Sequence, residues 1–133
     1  MQLKLSTDYA IRIVLYLAMK NNTVSVNELS EKLVIDQEYT LKFCNKLKDA
    51  EIVNIYEDNK KISLSKNPDQ VTMFDIINTM ENTIKINLCL EEDEYCSRFA
   101  TDTCPVRRFY CKLQNSIEVT LKKTTIQDLL EQC

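Results

Sequence analysis

The chain has 133 residues, enough for one modest core, with no glycine, no histidine and only two prolines, Pro68 and Pro105. A glycine-rich phosphate loop is therefore impossible, and the usual general base, triad partner and nitrogen ligand for metals are missing, so nucleotide-dependent and histidine-based catalysis are excluded. The net charge of −3 is uneven: residues 1–66 carry ten Lys/Arg against nine Asp/Glu, and residues 67–133 carry seven against eleven, which leaves the first half free to approach DNA.

Ser6 or Thr7 is placed to cap a first helix, whose apolar Ile11, Val14, Leu15, Leu17 and Ala18 recur at helical spacing until Asn21 and Asn22 stop it. Ser25 and Glu28 read as a capping box that opens a short second helix through Val26, Leu29 and Leu33. After a break at Val34 and Ile35, Asp36 is placed to cap a third helix, with Thr40, Phe43, Cys44, Leu47 and Ala50 facing the core. Its far side carries Gln37, Glu38, Leu41, Lys42 and Asn45. Two short helices joined by a tight turn match a helix-turn-helix, whose second helix presents its far side to the major groove. Residues 52–56 and 61–65 then alternate with period two around Asp58 and Asn59, the pattern of a β-hairpin and hence of a wing.

Beyond Pro68, Val71, Phe74, Ile76, Ile77 and Met80 predict a further amphipathic helix. Pro105 suits the first turn of a long helix with Cys104 at its cap. Along that helix Val106, Phe109, Leu113, Ile117, Thr120 and Leu121 form a stripe able to pack against a twin, which predicts a homodimer and a palindromic double-stranded DNA operator. The alternative is that this stripe closes the protomer's own core. The expected fold is mainly α with a small β-hairpin: a winged helix-turn-helix over 1–66, a connecting helix in 67–88, a cysteine loop over 89–104, and a dimerisation helix with a C-terminal tail over 105–133.

Four of the six cysteines, Cys89, Cys96, Cys104 and Cys111, crowd into or beside that acidic loop. No apolar run is long enough to span a membrane, and no signal segment precedes the first helix. A cytoplasmic protein with reduced thiols is expected, where clustered cysteines point to metal or redox chemistry rather than to disulfides. Structural zinc prefers close pairs, whereas the gaps here are six, seven and six residues, a spread that suits an iron-sulfur cluster held from several directions. Zinc, a thiol switch and inert cysteines are the alternatives. Cys44 is expected to be a small buried apolar residue and Cys133 to be terminal and mobile.

The segments 1–10, Tyr39 with 47–53, 71–77, Cys89, Cys96, Cys104 with Pro105 to Arg107, and 125–129 together resemble the Rrf2-type family of dimeric winged-helix transcription regulators that includes IscR, NsrR and CymR. The resemblance runs end to end. It implies a repressor in which Cys89, Cys96 and Cys104 ligate an iron-sulfur cluster, either [2Fe-2S] or [4Fe-4S], that senses nitric oxide, redox state or iron-sulfur status. Arg107 stands where IscR-like members place a histidine ligand, and a guanidinium has no lone pair for iron. NsrR-like members supply a first-helix aspartate, here Asp8 of the partner subunit, which ranks first as fourth ligand. Cys111 ranks second, because seven residues of continuous helix place it about 10.5 Å beyond Cys104.

On the DNA side, Tyr39 and Lys42 are the leading contacts, followed by Gln37 and Glu38, with Leu41 offered to a thymine methyl. The family's wing is glycine-rich and carries an arginine, whereas residues 57–61 here hold no glycine. This wing is expected to meet phosphates through Lys60 and Lys61 rather than to read the minor groove. Two other functions compete: a CymR-like regulator that binds no cluster and works through thiol oxidation or a protein partner, and a metal or redox protein without DNA binding. No enzyme is expected, since no nucleophile has a recognisable base.

Overall fold

Ala10, Ile13, Val14, Leu17 and Ala18 give α1 (Leu5–Lys20) one continuous apolar face, and most of the molecule is assembled against it. The computed structural model describes residues 2–96 and 102–132, so the expected mobility of Cys133 falls outside it. After α1 come β1 (Val24–Ser25), α2 (Val26–Leu33), α3 (Gln37–Asp49), β2 (Val53–Tyr56), β3 (Lys61–Leu64), α4 (Met73–Met80), α5 (Pro105–Lys123) and α6 (Ile126–Glu131). The fold is the mainly helical winged helix-turn-helix expected, with single 3-10 turns at Pro68–Gln70 and Leu88–Leu90. No helix among the described residues is long and apolar enough to cross a membrane.

Neither Ser6 nor Thr7 caps α1. Lys4 is the N-cap residue and makes no side-chain cap bond. The acceptor comes instead from Glu81 at the end of α4, whose Oε2 takes the Lys4 backbone N–H at 2.9 Å and the hydroxyl of the fully buried Thr7. A carboxylate there satisfies a donor the helix cannot pair itself and suits the positive end of its dipole. Asn21 closes the helix in the left-handed conformation, φ 52°, with its N–H on the Leu17 carbonyl.

Ser25 caps α2 by accepting from the Glu28 N–H at 3.0 Å. The return half of the expected capping box is absent, because Glu28 Oε2 accepts from the Tyr16 hydroxyl at 2.5 Å and lies 3.8 Å from Lys20 Nζ. That hydrogen bond to Glu28 is the main reason the Tyr16 phenol is pushed up to about 12. At the turn into α3, Val34 adopts φ 54° and is 86% exposed. With no glycine available, left-handed backbone among the described residues falls to Asn21, Val34, Glu51, Lys60 and Glu94, and a β-branched residue there costs about 1 kcal/mol or more.

Asp36 caps α3 as expected, accepting from the Glu38 N–H at 2.8 Å, and Thr40, Phe43, Cys44 and Leu47 are buried. Ala50 departs from expectation: the helix stops at Asp49, so Ala50 is its exposed C-cap. In the wing, Val53, Asn54, Ile55 and Tyr56 oppose Leu64, Ser63, Ile62 and Lys61. The short β1 adds a third antiparallel strand, Val24 opposite Ile62, which gives the order β1-β3-β2.

Helix α4 is shorter than its apolar pattern suggests. Val71 precedes it, and residues 71–73 exchange backbone hydrogen bonds with residues 124–126. Phe74 is only half-buried, with Lys122 Nζ 4.7 Å from its ring centre. The tail is itself a helix, α6, capped by Thr125 and Asp128, and its fully buried Ile126 joins the core on α1.

Candidate functional site

The outer side of α3 is available to a partner because its inner side is fully committed to the core. Gln37, Glu38, Tyr39, Lys42 and Asn45 are exposed and Leu41 is half-buried. The Tyr39 ring lies over Phe43, 6.2 Å between centres at 20°, so a core residue supports it while its edge faces solvent. Gln37 Nε2 donates to Asn27 Oδ1 at 2.5 Å, which fixes the amide's orientation. Lys60 and Lys61 are exposed at the wing tip, where Asn59 Oδ1 accepts from the Lys61 N–H at 3.2 Å. A groove of about 410 Å³ between α2, α3 and this tip is lined by Asn27, Gln37, Glu38, Leu41, Asn59 and Lys60, among others. Asn27 and Asn59 are additions to the expected set. Their only sequence signal is that each is a short polar residue beside a turn or cap.

The thiol loop hangs from α5. Cys89 sits buried in the 3-10 turn, with Asn87 Nδ2 donating to its sulfur at 3.2 Å. Cys96 and Cys104 are half-buried, and Cys104 is the N-cap residue of α5. Residues 97–101 of the loop fall outside the described residues. Since α5 runs without interruption from Pro105, the exposed Cys111 is separated from Cys104 by about 10.5 Å of helical rise. Burial pushes the Cys44 thiol up to about 12, so Cys44 is a core residue rather than a reactive one.

Arg107 takes up the loop's polar groups. Its Nε donates to the Cys89 carbonyl at 3.1 Å and its guanidinium reaches Glu94 Oε1 at 3.2 Å. Gln114 is the one buried residue of α5 and was not foreseen. It accepts from the Ile86 N–H at 2.9 Å and donates to the Ile84 carbonyl at 3.0 Å, pinning the extended segment that leads into Cys89. Asp8, in the first turn of α1, is paired with Arg12 at 2.9 Å, and both side chains are about half-exposed.

In kind, these donors suit an iron-sulfur cluster: soft thiolates on one segment, no imidazole, and a carboxylate accessible from outside. In position, the described residues do not bring three Cys, Asp or Glu side chains together as a metal-binding group. Val106, Phe109 and Leu113 are exposed on α5, so the first part of the stripe does not close the protomer's own core. Ile117 and Leu121 instead line a cavity of about 240 Å³ with Leu3, Ile77 and Ile84.

The model of the Rrf2 family, described as an iron-dependent transcriptional regulator, matches residues 3–132. A putative HTH-type transcriptional regulator from Aquifex aeolicus is 31% identical over 124 residues, which span 92% of this chain and 86% of that protein. The HTH-type transcriptional regulator NsrR of Oceanobacillus iheyensis is 25% identical over 135 aligned residues, 98% of this chain and 90% of that one. In structure, CymR, the global cysteine regulator of B. subtilis, superimposes with a TM-score of 0.76 at 21% identity, covering 97% of this chain and 95% of its own, a likeness of fold. With the family match spanning residues 3–132 and a relative 31% identical over 92% of this sequence, the chain belongs to the Rrf2 family of transcriptional regulators.

Proposed function

We propose that this protein is a cytoplasmic, DNA-binding repressor that works as a homodimer and whose operator affinity is set by the state of the thiol loop. The supporting observation is the division of α3 into a buried inner side and an outer side of Gln37, Glu38, Tyr39, Leu41 and Lys42, set beside Lys60 and Lys61 of the wing. Lys42, Lys60 and Lys61 would meet phosphates, and the α3 side chains would meet base edges. Six such cations in a dimer give a slope of log affinity against log salt of about −5.

The group bound by the loop is, in this proposal, an iron-sulfur cluster held by Cys89, Cys96 and Cys104, with Asp8 of the partner subunit as fourth ligand. When bound, it would supply a centre that reacts with oxidants or nitric oxide. The chain's own part is to orient the loop. Arg107 fixes the Cys89 carbonyl, Gln114 fixes residues 84–86, and Glu81 joins the end of α4 to α1. The Asp8–Arg12 pair is an exposed, solvent-screened i,i+4 contact, so redirecting Asp8 costs little.

Anaerobic purification with iron and sulfide counted per chain tests this. Iron and sulfide should accompany the wild type, vanish with Cys89→Ser, fall with Asp8→Ala and persist with Cys111→Ala. Operator affinity should change when the metal is removed. A second reading, a cluster-free regulator switched by thiol oxidation, is favoured by the lack of convergence of donors among the described residues. A colourless anaerobic protein whose DNA affinity responds to oxidant alone would decide for it.

A further inference from the structure

The first turn of α3 carries an exposed carboxylate, Glu38, whose charge suits the positive end of the helix dipole but whose side chain also points to the outer face. Glu38 is exposed, its backbone N–H is held by Asp36 at 2.8 Å, and among the described residues no Lys or Arg lies within ion-pair distance of its carboxylate. It faces the same groove as Lys60, beside Gln37, whose amide is already oriented by Asn27. A carboxylate on a surface meant for DNA is unfavourable for backbone contact, since it repels every phosphate.

In the major groove the same group can be satisfied by two bases only. Cytosine offers its N4 amine and adenine its N6 amine, whereas guanine presents O6 and N7 and thymine presents O4, all acceptors. Adenine's amine stands beside the N7 acceptor, which opposes a second carboxylate oxygen. Cytosine's amine stands beside a C–H edge, so cytosine is the better match.

We propose that Glu38 is a specificity-determining residue that selects cytosine at one position of each operator half-site and rejects guanine and thymine there. The inference rests on α3 being the DNA-reading helix, and it adds which base one residue reads. Gln37, Tyr39 and Lys42 would read or anchor neighbouring positions, so loss of Glu38 relaxes one position and leaves the rest of the site intact. A Glu38→Gln side chain can accept from adenine N6 and donate to adenine N7 together, which moves the preference to adenine.

The test is selection of duplexes from a randomised pool by the full-length wild type, Glu38→Ala and Glu38→Gln, followed by anisotropy on single-base variants of the selected site. Wild type should favour cytosine over guanine at one position per half-site by about tenfold or more. Glu38→Ala should bring that ratio to within about twofold with an unchanged salt slope, and Glu38→Gln should enrich adenine there. A merely helix-stabilising Glu38 would lower the unfolding midpoint without altering any base preference. Identical preferences for all three proteins would therefore overturn the inference while leaving α3 as the reading helix. If the wild type enriches no sequence, the assignment of α3 to DNA fails, and the role of Glu38 fails with it.

Discussion

Helix α3 buries Thr40, Phe43, Cys44 and Leu47 among its thirteen residues, whereas α5 buries only Gln114 among its nineteen. The first is held by apolar packing against α1, with its own cap at Asp36. The second is held by polar clips, from Arg107 to the thiol loop and from Gln114 and the Lys85–Glu118 pair at 3.5 Å to residues 84–86, with Ile117 and Leu121 half-buried beside Ile77 while Val106, Phe109, Leu113 and Val119 are exposed. Apolar burial is strong and indifferent to small chemical changes; hydrogen bonds and ion pairs are individually modest and depend on geometry. The division suits a molecule with one part that must stay rigid to read a surface and another that must respond.

The contrast breaks first at its rigid end. Leu47→Ala should cost about 3 kcal/mol in urea unfolding, because Leu47 is fully buried under α1 and leaves a cavity there. Next, Gln114→Ala should cost about 2 kcal/mol, since the Ile86 N–H and Ile84 carbonyl lose their partner. Hydrogen exchange at Ile86 should quicken far more than exchange within α3, and equal quickening in both would erase the distinction drawn here.

Glu81 gives a smaller, pH-dependent effect. Burial pushes its carboxyl up, but the hydrogen bonds from the Thr7 hydroxyl and the Lys4 N–H prevail and bring it below the ordinary 4.5. A depressed carboxyl stabilises the fold above the unfolded value and ceases to do so as pH falls through the folded one. Glu81→Gln should therefore lower stability by about 1 kcal/mol at pH 7, and the gap to wild type should close below pH 4.5. The smallest effect on the protomer is expected from Phe109→Asp, within about 0.5 kcal/mol of wild type, because Phe109 is 58% exposed. Sedimentation should nonetheless show it monomeric where the wild type is a dimer; unchanged mass would remove the exposed stripe from the assembly.

What was legible in the sequence was local. Asp36 before α3, Asn21 after α1, Pro105 opening α5 and the alternation of the hairpin all act on neighbours within a few residues. The cap of α1 was illegible because its acceptor, Glu81, lies 77 positions from Lys4, and Ser6 and Thr7 offered a nearer but unused solution. Gln114 was hidden for the same reason: a polar residue on a charged helix looks solvated until the segment 84–86 beside it is placed. β1 is two residues long, too short to alternate. The Thr125–Asp128 capping box was readable and would have identified α6. For the candidate site, exposure of the α3 residues followed from helical periodicity, whereas the arrangement of thiols depends on a loop whose shape no periodicity encodes.

The return of the chain from α5 into α6 has a mechanical consequence. Because residues 124–126 are hydrogen-bonded to 71–73 and Ile126 is sealed in the core, the C-terminal end of α5 is tied to the body of the molecule, while Gln114 and Glu118 tie its middle to residues 84–86. An exposed helix anchored this way has its far end set by the same body that carries α1 and α3, so whatever rests on its outer face is held in register with the helix offered to DNA.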